Sequence, residues 1–485
     1  MIELSFSEVA EAVGGTLLLA PGDTPETTVS GESQTDSREV RPGQIFFARQ
    51  GEDTDGHLFA GRAARAGAAA LVVERELGAD ELGTDAPGTD APGAAAAVTQ
   101  ILVADATAAL GALAALSTGR LRERGRLRIV GITGSNGKTT TKNLVASMAE
   151  TLGPTVASEK SFNNEVGGPL TMLRATPETE TLIAEMGASA EGEIARLTAM
   201  ARPHIGVVLS VGLAHAGEFG GIEATFRAKS EMVAALEDSG VAVLNRDDPR
   251  VAKMAELTGA RVLWFGQHPE ADVRASDIEP SASGTTFTIH AAGESREVTF
   301  RVLGEHHVMN ALAAAAVGIT LGLTLSSVVE VLEAATLAAP GRMQVLGGRD
   351  GITIINDAYN ASPDSMSAAL RTLAQIAKPG GRTVAVLGAM TELGPYAIEE
   401  NLRIGLQAVR LRIGELVVVG RDARDLHISA INEGSWDGES VFFETRDEAF
   451  DYLVGTLRDN YTVLVKSSNS AGLLALGDRL GEAYA

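Results

Sequence analysis

Residues 126–148, RLRIVGITGSNGKTTTKNLVASM, set a lysine and a run of hydroxyls directly behind three closely spaced glycines. That combination suits phosphate. Gly131, Gly134 and Gly137 leave little bulk in the turn, so backbone N–H groups can converge on an anion. A helix beginning at the lysine adds the unpaired N–H groups of its first turn. Gly134, Ser135, Asn136, Gly137 and Thr140 would form this cradle, Lys138 would reach the outer phosphates, and the Thr139 hydroxyl would help to hold magnesium. The strict spacing of glycine, four residues and Gly-Lys-Thr fails by one place, because Ile132 stands where its first glycine would be. The flanks fit the loop. The β-branched run LRIVGIT predicts a strand before it, and Leu144, Val145, Met148 and Leu152, at helical spacing, predict a helix after it.

Other chemistry-bearing residues sit at the ends of apolar runs. Glu185 closes TLIAEMG, where a strand-end carboxylate can enter a metal site or simply be solvated. His215 falls in a loop beyond the strand predicted from HIGVVLSVG; it could bind a second magnesium, position a phosphate, or be a polar loop histidine. Lys229, in FRAKSEMVAAL, lies on a predicted helix, where an exposed lysine is the ordinary reading. Asn245, Asp247 and Asp248 follow a strand and fit a substrate-facing turn or a capped connection equally. His307 and Asn310, three apart in GEHHVMNALAAAAVGI, share a helix side and could read an adenine edge. Arg342, after a Pro-Gly turn, offers directed donors for a phosphoryl group. Asp357, Tyr359 and Asn360 cluster between a strand and a helix that Ser362 or Asp364 would cap. Lys466 ends a strand, where it could meet a substrate carboxylate or face solvent.

The elements that must position these residues fall into two α/β series. LRIVGIT, TLIAEMG, HIGVVLSVG, GVAVLN and ARVLWFG alternate with helical stretches and predict a mainly parallel, helix-covered sheet. A second series, ITIINDAYN, RTVAVLGAM, ELVVVGRDA, VFFET and YTVLVKSS, starts after a break near Pro340, Gly341 and Arg342. A cleft between the two would suit a reaction that excludes water. Upstream, residues 78–97 have the composition of a surface insertion, and QILVADATAALGALAAL after them reads as another strand and helix.

At 485 residues the chain exceeds one ordinary core. It has no cysteine, which excludes disulfides, thiol nucleophiles and cysteine metal sites. A net charge of -23 disfavours a broad nucleic-acid surface and leaves room for local phosphate binding. MIELSFSEVAEAVGG carries acidic residues where a signal peptide has basic ones, and no uncharged apolar run reaches membrane-spanning length, so the expectation is a cytoplasmic protein.

The ordered set TDSREVRPGQIFFARQG, TGSNGKTTTK, SFNNEVGGPLTMLRA, EMGASAEGEIA, VGLAHAGEFG, AKSEM, GEHHVMNALAAA, DAYNASPDSM and VKSSNSAGL resembles the ATP-dependent Mur ligases of cell-wall synthesis over nearly the full chain. SFNNEVGGP and DAYNASPDSM are most similar to the member that adds D-alanyl-D-alanine. The resemblance implies an α/β, three-domain Mur ligase architecture: 1–122 holding the UDP end of the substrate, 123–341 a central P-loop ATPase domain, and 342–485 a Rossmann-like domain. It implies ATP and Mg2+ as cofactors, UDP-N-acetylmuramoyl-tripeptide and D-alanyl-D-alanine as partners, an acyl phosphate intermediate, and a monomer without nucleic acid or membrane insertion. It assigns Lys138, Glu185, His215 and Lys229 to catalysis, with Thr139, Glu185, His215 and Lys229 at the metal and Lys229 carbamylated. His307, Asn310, Arg342 and Asp357 become ATP contacts. Asp36, Ser37, Arg38, Asp55, Gly56 and His57 match the UDP segment. Ser161, Asn163, Asn164, Tyr359, Asn360 and Lys466 match substrate-facing segments. Ala389, Asn401, Ser210 and Asn356 depart from residues common in the family, which bears on acceptor specificity. Another Mur ligase, a folylpolyglutamate-synthetase-like amide ligase and a non-ligating nucleotide-binding relative are the alternatives.

Overall fold

The structure, a computed structural model, describes residues 1–51, 54–83, 97–159, 161–213, 220–336, 340–378, 380–433 and 438–485. His215 and much of the 78–97 insertion lie outside them.

The predicted first series forms the middle of a nine-stranded sheet. Arg128–Thr133 lies between Ile205–Val208 and Thr181–Glu185, all parallel, with Thr155–Ala157 beyond the latter and Val241–Asn245 and Arg261–Gly266 beyond the former. The four inner strands, Thr181–Glu185, Arg128–Thr133, Ile205–Val208 and Val241–Asn245, are buried along almost their whole length, which explains why they read as continuous apolar runs. The sheet then continues through an antiparallel meander, Val273–Ser281, Gly284–Ala291 and Glu294–Phe300, which the expectation of a mainly parallel sheet did not contain. Its signal is present in the alternation of TTFTIHA and in the turn at Ala292 and Gly293, both with positive φ.

Glycine 137 is the left-handed N-cap of the helix Lys138–Glu150, whose Leu144, Val145 and Met148 face the core. Leu152 does not join them: the helix ends before Gly153 and Pro154, and Leu152 is exposed. The second series forms a six-stranded sheet in which Thr353–Asn356, Thr462–Lys466, Thr383–Leu387, Glu415–Val419 and Glu439–Phe443 are parallel neighbours in that order, with Gln344–Leu346 antiparallel at one edge. Separate apolar clusters cover its two faces, as a Rossmann-like sheet requires.

The N-terminal part carries a five-stranded sheet in the order Thr16–Leu18, Thr99–Leu102, Ala70–Val73, Ile45–Phe47, Ser33–Gln34. Its helix Ala106–Glu123, capped by Asp105, rests on the central part: Thr118 Oγ1 donates to the Met200 carbonyl at 2.7 Å. One continuous apolar core runs from Met1 and Phe6 through Leu110 and Leu113 to Leu182, Leu197 and Leu244. No helix among the described residues is long and apolar enough to cross a membrane.

Candidate functional site

The strand ends of the central and C-terminal sheets face one cavity of about 680 Å³. Ser135 to Thr140, Ser161, Asn163, Asn164, Glu185, His307 and Asn310 line it from the central part, and Arg342, Asp357, Tyr359, Asn360 and Lys466 from the C-terminal part. Residues over three hundred positions apart in sequence are thereby brought together at the open ends of parallel strands, where such sheets bind ligands.

Within the phosphate loop, the N–H groups of Ser135 and Asn136 are spent on Ser210, at 3.0 Å to its carbonyl and 3.4 Å to its hydroxyl. The cradle therefore begins at Gly137, where no side chain caps the helix. Gly137 has φ +83, and a Cβ there would collide with Asn310 Oδ1, so glycine is required twice over. Asn310 Nδ2 in turn donates to His307 Nδ1 at 3.0 Å. His307 Nε2 is buried at the cavity without a hydrogen-bond partner among the described atoms. Burial, then the neighbouring His306, drives the His307 pKa well below 6.5, so the ring is neutral: Nδ1 accepts from Asn310 and Nε2 carries the proton. His306, likewise held down to about 4 by burial, also lines the cavity and was not singled out from the sequence.

Lys138 Nζ donates to its own loop at the Gly134 carbonyl, 2.9 Å away, and its charge is opposed by burial and favoured by Glu185. Glu185 is 1% exposed. Its Oε1 accepts from Asn163 Nδ2 at 2.9 Å, while Oε2 has no hydrogen-bond partner among the described atoms. A buried carboxylate oxygen left in this way beside a phosphate loop fits a cation as its missing partner. Among the described residues no group of three or more His, Asp and Glu is clustered to hold a metal, so a magnesium here would depend on phosphate oxygens and water beside Thr139 and Glu185. Lys229, on the helix Ile222–Ala234, does not line the cavity; it is buried behind it, with its pKa pushed down to about 7 by desolvation and then by Lys138. The exposed-lysine reading is thereby replaced by a buried one.

The C-terminal wall is tied to itself and to the loops opposite. Lys466 Nζ pairs with Asp357 Oδ2 at 2.6 Å and donates to the Asn360 carbonyl at 3.0 Å; it is 3% exposed and braces this turn at the cavity wall. Arg342 stacks on Tyr359, 4.4 Å from the ring centroid, and both donate to Ser161 Oγ, at 3.4 and 3.2 Å. Ser362, the N-cap of Pro363–Gln375, donates to Asn136 Oδ1 at 3.0 Å.

Several expected substrate residues have structural occupations. Asn163 holds Glu185, and Asn164 Oδ1 accepts the N–H groups of Val166 and Gly167 at the start of the helix Gly167–Leu173. Asp36, Ser37, Arg38, Asp55, Gly56 and His57 are not brought to the cavity. Asp36 is paired with Arg38 at 2.6 Å, Ser37 is buried, and Gly56 donates to the Arg49 carbonyl. His57 Nε2 accepts the Glu74 N–H, which places the proton on Nδ1 facing Asp55 Oδ1 at 2.6 Å. Asp247 and Asp248 are capping groups, accepting from Gln267 and His268 and from Val211, Arg250 and Val251 respectively. Of the departures, Asn356 donates to the Leu474 carbonyl and to Asp478, Ser210 braces the phosphate loop, and Asn401 and Ala389 are buried.

A helix-covered parallel sheet with a phosphate loop, joined to a second α/β sheet across one cavity, is the architecture of a known ligase group. Three family models match the chain: "Mur ligase family, catalytic domain" over residues 33–118, "Mur ligase middle domain" over 132–318 and "Mur ligase, glutamate ligase domain" over 341–469. The chain belongs to the Mur ligase family. It is 44% identical to the UDP-N-acetylmuramoyl-tripeptide–D-alanyl-D-alanine ligase of Mycobacterium tuberculosis, covering 99% of this chain and 98% of that one. Among solved structures it is similar to MurF from Acinetobacter baumannii, with TM-score 0.85, 30% identity and 99% of each chain covered. MurF from Thermotoga maritima in complex with ADP matches with TM-score 0.78 and 26% identity, over 94% of this chain and 99% of that one.

Proposed function

We propose that this chain ligates D-alanyl-D-alanine to UDP-N-acetylmuramoyl-tripeptide at the expense of ATP, yielding UDP-N-acetylmuramoyl-pentapeptide, ADP and phosphate. The observation that carries the reading is the cavity in which the phosphate loop, the 161–164 loop and the Asp357 turn face one another, in a chain whose near full-length relatives bear that ligase name. The tripeptide carboxylate takes the γ-phosphoryl group of ATP to form an acyl phosphate; the dipeptide amine then attacks the carbonyl and expels phosphate.

Lys138 and the N–H groups from Gly137 to Thr140 hold the phosphates in line, His307 and Asn310 orient the nucleotide, and Arg342 and Asp357 close on it from the other wall. Thr139 and Glu185 would hold magnesium, which supplies neutralisation of charge on the phosphoryl oxygens; His215, outside the described residues, is assigned to the same site through the resemblance. Lys229 is the candidate for carbamylation: only a neutral amine attacks carbon dioxide, and burial gives this lysine a neutral fraction near pH 7. Tyr359 and Asn360 face the substrate, and Asp36, Ser37, Arg38, Asp55, Gly56 and His57 belong to the segment that holds the UDP end, 1–122, beside domains 123–341 and 342–485. The enzyme acts as a cytoplasmic monomer.

The test is a mass-resolved ligation assay with magnesium-ATP, the UDP-tripeptide and D-alanyl-D-alanine, beside D-alanine, L-lysine or no amine. Pentapeptide formed only with the dipeptide, with one phosphate per ligation, is the expected result. A folded, ATP-binding protein that makes none overturns the reading.

A further inference from the structure

Lys142 has no part in the mechanism above, yet its amine is buried against Ser158, which also contacts the backbone of Glu185. It lies four residues after Lys138 in the helix Lys138–Glu150, hence on the same face one turn on, and is 4% exposed. Its Nζ donates to the Ser158 carbonyl at 2.6 Å. Ser158 Oγ accepts the N–H of Glu185 at 3.2 Å, and the Ser158 N–H donates to Ile183 two residues before that carboxylate. The charged groups bearing on Lys142 are Glu185, Arg342 and Glu159, with Glu185 the strongest.

An ionised carboxylate as deep as Glu185, held by a single neutral amide, requires opposite charge close by. Lys138 and Lys142 both supply it, but their situations differ. Lys138 lines the cavity and can swing to an outer phosphate; Lys142 is pinned away from it by the Ser158 carbonyl. We propose that Lys142 is a positioning residue: it is the fixed counter-charge of Glu185 and, through Ser158, the anchor that aims the free Glu185 oxygen at the metal position. The proposal rests on Glu185 being a metal-site carboxylate.

The experiment is calorimetric titration of ADP with and without magnesium into the full-length protein, wild type against Lys142→Met and Ser158→Ala, with thermal midpoints measured alongside. In the wild type, magnesium strengthens ADP binding. In Lys142→Met the affinity for magnesium-free ADP stays within about twofold while the gain from magnesium shrinks about tenfold, in the range set by losing an outer-shell partner. Ser158→Ala, which removes only the hydroxyl contact, shows a smaller loss of the same kind. In the ligation assay the apparent KM for magnesium-ATP rises and that for the dipeptide does not. A variant with a lower thermal midpoint but the full magnesium gain makes Lys142 purely structural and overturns the proposal. A larger gain overturns it too, since the lysine would then act by repelling the cation. Absence of any magnesium gain in the wild type refutes instead the metal reading of Glu185 on which the proposal stands.

Discussion

The two walls of the cavity use similar residues to different ends. On the central wall the charged groups have contacts that a ligand can replace: Lys138 rests on its own loop carbonyl, and Glu185 keeps an oxygen without a partner among the described atoms. On the C-terminal wall the charged groups already have partners: Lys466 is paired with Asp357 and Asn360, and Arg342 stacks on Tyr359 and reaches Ser161. On the first wall a ligand can take over a weak or missing contact, whereas on the second Lys466 holds the turn on which Asp357 and Asn360 sit. A lysine at a strand end or loop end thus has no fixed meaning until its neighbours are known.

Substitutions that exchange the two walls' properties test the contrast. Lys138→Met, which removes the replaceable cation, is expected to lower kcat by about 10²–10³ or more with little change in thermal midpoint, as for loss of one transition-state donor; steady-state ligation rates against denaturation curves check this. Lys466→Met leaves Asp357 uncompensated in a mostly buried setting and is expected to destabilise the protein by up to about 3–5 kcal/mol, read by urea unfolding, with a smaller effect on kcat of the folded fraction. Equal loss of stability in both variants would erase the distinction.

Lys229 sharpens it further. Burial, then Lys138, pushes the Lys229 amine from the usual 10.5 down to about 7 in the folded protein. Between those values the unfolded chain binds more protons than the folded one, so stability rises with pH; below 7 both states are charged and the penalty of burying the cation is fully felt. In bicarbonate-free buffer, Lys229→Met should be relatively more stable than the wild type at pH 6 than at pH 9, and thermal midpoints across that range measure it. Tyr359→Phe has the smallest expected effect: it removes one hydroxyl contact to Ser161 and leaves the stacking on Arg342, so the KM for the tripeptide substrate should change by no more than about threefold, the scale of a single neutral hydrogen bond.

Much of this was legible in the sequence because it rests on local rules. The phosphate loop declares itself through glycines before a Lys-Thr pair, and each apolar run from LRIVGIT to YTVLVKSS became a strand of the expected sheet. What escaped depends on contacts between distant segments. The burial of Lys229 depends on what packs over its helix, and the pairing of Lys466 on a turn 109 residues earlier. The spending of Asn163 on Glu185 follows from a loop crossing a strand end. The meander at 273–300 lies outside the apolar-run pattern because its half-exposed strands alternate apolar and polar residues, where buried parallel strands are continuously apolar.

The most direct test of ligation across this cavity is to label the tripeptide's terminal carboxylate with oxygen-18, run the reaction with D-alanyl-D-alanine, and weigh the phosphate released. One labelled oxygen per phosphate, together with pentapeptide, is the outcome the acyl phosphate route predicts; unlabelled phosphate accompanying pentapeptide, or labelled substrate returned intact while ATP is consumed, would contradict it.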